Sequence, residues 1–124
     1  MRLNWRRYLA RIEVKMIFFS LIFIFTILFL VPLYLLPPDD IFHWWDKAQH
    51  MLIFFILSFL GVIAYPRIPK TIFFALAAFG GLIEIIQSFT GWRTGELIDW
   101  YADLVGILAM WLTIRSFMFI REQT

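Results

Sequence analysis

Lys47 and His50 stand three residues apart, Glu84 and Gln87 three apart, and Asp99 and Asp103 four apart, with Arg93 between the last two pairs. On a helix, spacings of three or four put both members of a pair on one face. Two chemistries follow from these residue types. Lys and Arg bind phosphate or carboxylate, Arg through a bidentate fork. His with Glu or Asp can move protons as a general acid–base couple. His50, Glu84 and Asp99 are therefore the catalytic candidates. Lys47, His50, Glu84, Gln87, Arg93, Asp99 and Asp103 form the candidate ligand-binding set. A divalent metal on His50, Glu84, Asp99 and Asp103 is set aside, because one histidine among carboxylates is generic and no HExxH-type spacing is present. No cofactor is expected.

The elements that must position these side chains are written in the composition. The chain has 124 residues, 62% of them hydrophobic and 20% aromatic, whereas a soluble domain carries about 45–50% apolar residues. The excess comes in blocks long enough to span a bilayer, so the expectation is an all-α integral membrane protein with one domain over the whole chain. Net charge is +2, but the bases sit at the ends and in one short link, which is no nucleic-acid footprint. With no cysteine, disulfides, thiolate ligands and a Cys nucleophile are excluded. The opening "MRLNWRRYLARIEVK" is basic like a signal peptide, but the apolar run after it is about twice a typical h-region and meets "LPPDD" instead of a small-residue cleavage site. It reads as a retained segment.

A spanning helix needs about 20 mostly apolar residues, and four segments qualify, at about 16–36, 48–65, 71–89 and 98–120. Pro32 marks a kink or exit near the end of the first. "YPRIPK" makes a tight hairpin between the second and third, and "TGWRTGE" joins the third to the fourth. Arg2, Arg6, Arg7, Arg11, Lys15, Arg67, Lys70, Arg115 and Arg121 fall on one side of this layout, leaving Lys47 and Arg93 on the other. The positive-inside rule then predicts both termini in the cytoplasm. Trp44, Trp45, Trp92 and Trp100 are expected as an aromatic belt at the outer interface, with Trp5 and Tyr8 at the inner one. The expected location is the cell membrane, with multiple passes.

Depth brings the polar pairs together. At about 1.5 Å rise per residue, Glu84 lies roughly 9 Å below Thr90, Asp103 about 6 Å below Asp99, and His50 about 6 Å beyond Asp46. A carboxylate facing lipid at such depth costs a few kcal/mol, so these groups turn inward and pair. The expected arrangement is one outward-facing polar pocket between spans two, three and four, with Arg93 as its cationic lid. Asp46 reads as an ordinary interfacial charge, and Asp99 doubles as a first-turn acid suited to the helix dipole. Gly80, Gly81 and Gly106 read as close-packing notches, and the run "MIFFSLIFIFTILFL" of span one as lipid-facing hydrophobe.

The runs "DKAQHMLIFFIL" and "EIIQSFTGWRTGELIDWYADLVG" resemble the VanZ-like family of small bacterial membrane proteins. The likeness covers about residues 46–110. In that family a Lys-x-x-His pair opens one transmembrane helix and a Glu-x-x-Gln closes the next. An Arg-containing loop and an Asp-x-x-x-(Asn/Asp)-x-x-Gly run follow. The matching positions are Lys47 and His50, Glu84 and Gln87, Arg93, then Asp99, Asp103 and Gly106; many members carry Asn where this chain has Asp103. The family is named for a protein linked to teicoplanin resistance. The resemblance implies a role in the cell envelope or in the glycopeptide response, and supplies no reaction.

Three functions compete. The first is an envelope accessory protein, leaning away from an enzyme, whose pocket recognises a lipid-linked, peptidoglycan-related or otherwise anionic ligand through Lys47 and Arg93. The second is a membrane-interface enzyme with Glu84 or Asp99 as general base and His50 as its partner. The third is a proton-coupled transporter, disfavoured because the cytoplasmic halves of spans two to four carry no polar path apart from Arg115. Expected partners are the lipid bilayer and such an envelope ligand, with no nucleic acid. Oligomeric state is not legible.

Overall fold

The computed structural model describes residues 5–35 and 43–123, with side chains at 10–32, 34–35 and 47–123. The side chains of Trp5, Tyr8, Trp44, Trp45 and Asp46, and all of Arg2, lie outside that range. Four helices carry the chain: α1 (Trp5–Leu30), α2 (His43–Ala64), α3 (Pro69–Phe89) and α4 (Leu97–Gln123), with a short 3-10 turn at Leu33–Leu35. No strand occurs among the described residues. Each helix contains a stretch long and apolar enough to cross a membrane: Ala10–Leu30, Lys47–Ala64, Pro69–Phe89 and Leu97–Gln123.

Proline sets two of the boundaries. α1 begins inside the basic tail and stops at Leu30, short of the expected end at position 36. Pro32 has no N–H to continue the ladder and disfavours helical backbone at Val31, so the helix leaves there. Pro69 opens α3 at a first-turn position, where a missing N–H costs nothing. The hairpin before it closes through Ile68 N–H to the Tyr65 carbonyl at 3.1 Å.

α2 and α3 form the middle of the bundle, each touching all three other helices, while α1 and α4 flank them without meeting among the described residues. The α2–α4 interface is the most extensive. Gly106 makes it so: a Cβ there would collide with the Met51 carbonyl of α2, so only glycine lets the two backbones come this close. Phe54 and Leu57 of α2, Leu76 and Ile83 of α3, and Ile107 of α4 fill the centre. Phe18 and Phe29 of α1 join them, so span one is not lipid-facing throughout.

The outside is as apolar as the inside. Phe19, Phe23, Phe74, Phe89, Leu112 and Phe117 are all exposed, and only 11% to 33% of each span is buried within the protein. Continuous exposed apolar surface of this extent is unlike a soluble monomer. The basic end of the bundle is held where Lys15 of α1 lies over the Tyr65 ring, 4.7 Å from its centroid. The polar residues gather at the opposite end.

Candidate functional site

The amino-terminal part of α2, the carboxy-terminal part of α3 and the amino-terminal part of α4 meet at that opposite end. α2 contributes Lys47 and His50, which sit one turn apart on the face toward α4. Lys47 Nζ donates to Asp99 Oδ1 at 2.8 Å and to Glu96 Oε2 at 3.5 Å. One turn deeper, His50 Nδ1 lies 2.8 Å from Asp103 Oδ1. The two α2–α4 pairs are stacked because both helices repeat after three or four residues, so each pair occupies the next rung.

His50 and Asp103 are almost fully enclosed, at 3% and 1% exposure. The imidazole stacks on Phe29 of α1, with ring centroids 4.7 Å apart and planes inclined by 23°. Asp103 owes its place to Gly80 on α3: a Cβ at position 80 would stand 2.7 Å from Asp103 Oδ2 and 3.2 Å from Phe54 Cζ. Gly80 is thus a notch for a carboxylate as much as for a helix.

Glu84 of α3 completes the inner group. Its Oε2 accepts the Glu96 backbone N–H at 2.9 Å, tying α3 to the loop before α4. Its Oε1 is buried and has no hydrogen-bond partner among the described residues. His50, Glu84 and Asp103 each offer one nitrogen or oxygen atom, and these atoms all lie within 4.8 Å of one another. A groove of about 390 Å³, lined in part by Gly81, Glu84, Ser88, Gly95 and Trp100, leads to Glu84 between α3 and α4.

Lys47, His50, Glu84, Asp99 and Asp103 are therefore brought together. Gln87 and Arg93 are used differently from the expected pocket wall and lid. Gln87 Nε2 donates to the Phe29 carbonyl at 2.7 Å. Arg93 Nη2 donates to the Leu28 carbonyl at 2.7 Å and Arg93 Nε to that of Val31 at 3.0 Å. Trp92 Nε1 takes the Leu30 carbonyl at 3.0 Å. Four consecutive carbonyls at the end of α1 thus have side-chain donors from α3 and the following loop. The physical reason is Pro32, whose missing N–H orphans the Leu28 carbonyl. A cation at a helix carboxy-terminus also suits its dipole.

Two of the expected belt residues also tie helices together: Trp92 places its N–H on α1, and Trp100 Nε1 donates to the Ala77 carbonyl of α3 at 3.0 Å. Two participants escaped the sequence reading altogether. Glu96 stands in the loop three residues before Asp99, a spacing that was available as a signal. Phe29, stacked on His50, had none, since one phenylalanine in an apolar run resembles every other.

Comparison with protein-family models, with curated proteins and with solved structures finds no match for this chain.

Proposed function

We propose that this chain is a multi-pass cell-membrane protein of the VanZ-like kind, with both termini in the cytoplasm. Its polar centre faces outward and recognises an anionic or lipid-linked envelope ligand, in an accessory role related to the cell envelope or to glycopeptide (teicoplanin) resistance. The observation that carries this reading is the meeting of Lys47, His50, Glu84, Asp99 and Asp103, from three helices, at the end of the bundle opposite Lys15 and Tyr65. Buried ionisable groups in a lipid-facing bundle are costly and mark functional sites. The motif run shared with the VanZ-like family passes through the same residues. Lys47 stands at the edge of this polar centre, its side chain 26% exposed, held on one side by the half-exposed Glu96. A ligand phosphate or carboxylate displaces Glu96 from it with little loss, because a solvent-exposed ion pair is worth about 0–1 kcal/mol.

A second reading is favoured by one observation, the 2.8 Å contact between His50 and Asp103 beside a Glu84 oxygen that has no partner among the described residues. A histidine oriented by a carboxylate, with a second carboxylate nearby, is the equipment of an acid–base enzyme. One experiment separates the two. Purified protein in detergent is incubated with a polyprenyl phosphate and examined by native mass spectrometry. Recognition predicts a one-to-one complex, weakened in Lys47→Ala, from which the lipid is released with unchanged mass. Release of a lipid of altered mass supports the enzyme instead, and absence of any complex removes the recognition reading.

A further inference from the structure

The inner group of the site has a feature that recognition by Lys47 does not use. His50 of α2, Glu84 of α3 and Asp103 of α4 are each more than nine-tenths buried, at 3%, 8% and 1% exposure. One ligand-capable atom from each lies within 4.8 Å of the other two. Among the described residues, two carboxylates face a single imidazole, which even when protonated matches only one of their charges. Lys47 does not make up the difference within this inner group, since its ammonium is directed to Asp99 and Glu96 one turn away.

The second, independent observation is Glu84 Oε1, a buried carboxylate oxygen with no partner among the described residues. Leaving a buried acceptor unmade costs about 1–3 kcal/mol, and more for a charged one. Such a group in a native protein has a cause, and a bound ion or water is among the few that supply the missing contact.

We infer that His50, Glu84 and Asp103 form a binding site for one divalent first-row transition-metal ion of the Zn²⁺ type. The donor set decides the class. An imidazole nitrogen with carboxylate oxygens suits these borderline ions, whereas Mg²⁺ and Ca²⁺ prefer oxygen alone. Ligands at about 2.1 Å from a tetrahedral ion stand roughly 3.4 Å apart, so atoms as far apart as 4.8 Å must close by about 1.4 Å. His50 and Asp103, hydrogen-bonded at 2.8 Å, instead give up that bond and separate slightly to take the ion between them. Three protein ligands leave a coordination position open, and a groove lined in part by Ser88 and Gly95 reaches one of those ligands, Glu84. An anionic ligand group arriving there would meet the ion; that part rests on the recognition reading, while the metal site does not.

The test uses tag-free, full-length protein in detergent, stripped with EDTA and then titrated with Zn²⁺, with Mg²⁺ as the comparison ion. One Zn²⁺ per chain, a raised Tm and no comparable response to Mg²⁺ are expected. Glu84→Gln keeps an acceptor for the Glu96 N–H and should weaken Zn²⁺ binding by about 10–100-fold or more, while His43→Asn leaves it unchanged. X-ray absorption of the Zn²⁺-loaded wild type, which needs no variant, should show a nitrogen–oxygen environment with a single imidazole. Absence of stoichiometric Zn²⁺, equal binding by Glu84→Gln, or two imidazoles on the ion would overturn the site. Zn²⁺ binding without capture of a polyprenyl phosphate leaves the metal site standing and removes the recognition reading; capture of the lipid by metal-free protein, with no Zn²⁺ bound, does the reverse.

Discussion

Lys47 and Asp99 show how a charge is kept at the edge of a hydrophobic bundle. Asp99 is 6% exposed, so its carboxylate has little water and depends on the ammonium 2.8 Å away. Removing one partner of such a pair strands the other, which costs more than the pair itself contributes. Lys47→Ala should therefore lower stability by about 1–3 kcal/mol, and Asp99→Asn in that background should restore part of it. The check is a double-mutant cycle of unfolding in detergent; a coupling of about 0.5–3 kcal/mol is expected, and strict additivity would mean that the two groups do not interact. Glu96 shares the same ammonium at 3.5 Å but is half exposed, so its removal should matter little to stability.

Between helices, the decisive relation is the one between the end of α1 and the loop after α3. α1 has no ionisable residue beyond Lys15, and its own sequence offers nothing to satisfy its last carbonyls. Backbone carbonyls close to a hydrocarbon phase find little water to bond to. Arg93, Gln87 and Trp92 supply the donors from elsewhere, which binds the first helix to the third. Arg93→Ala should cost about 1–3 kcal/mol for each carbonyl left bare. Pro32→Ala restores the N–H that the Leu28 carbonyl lacks, so Arg93→Ala should be measurably less damaging in that background. Thermal unfolding of the wild type, the two single variants and the double variant reads the difference; an equal cost in both backgrounds would contradict this account of Arg93.

For the whole molecule, the two ends of the bundle carry opposite character. Lys15, Arg67, Lys70 and Arg121 belong to one end, and the buried acids with Lys47 to the other. The positive-inside rule assigns the first set to the cytoplasmic side, which is the orientation proposed above. The chain has no cysteine, so single cysteines at the exposed positions Thr94 and Lys70 report topology directly. A membrane-impermeant maleimide applied to intact cells should label Thr94→Cys, and should reach Lys70→Cys only after permeabilisation. The opposite pattern would turn the polar site toward the cytoplasm and end its assignment as an envelope-facing pocket.

The sequence by itself determined the elements and their level: four apolar helices, two proline-marked boundaries, and titratable groups on three helices at one depth. Those features are local, set by run length, backbone chemistry and the rise of a helix, and each is complete within a few turns of chain. The tertiary structure decided the partners. Lys47 could have met any of several carboxylates; packing through Gly106 chose Asp99 for it and Asp103 for His50. Arg93 was expected over the pocket as its lid, yet two of its guanidinium nitrogens go to α1, because the need it meets is a set of backbone carbonyls that no side-chain pattern announces. Glu84, His50 and Asp103 share no sequence spacing at all, since each comes from a different helix. Their common centre exists only where three helices close around it.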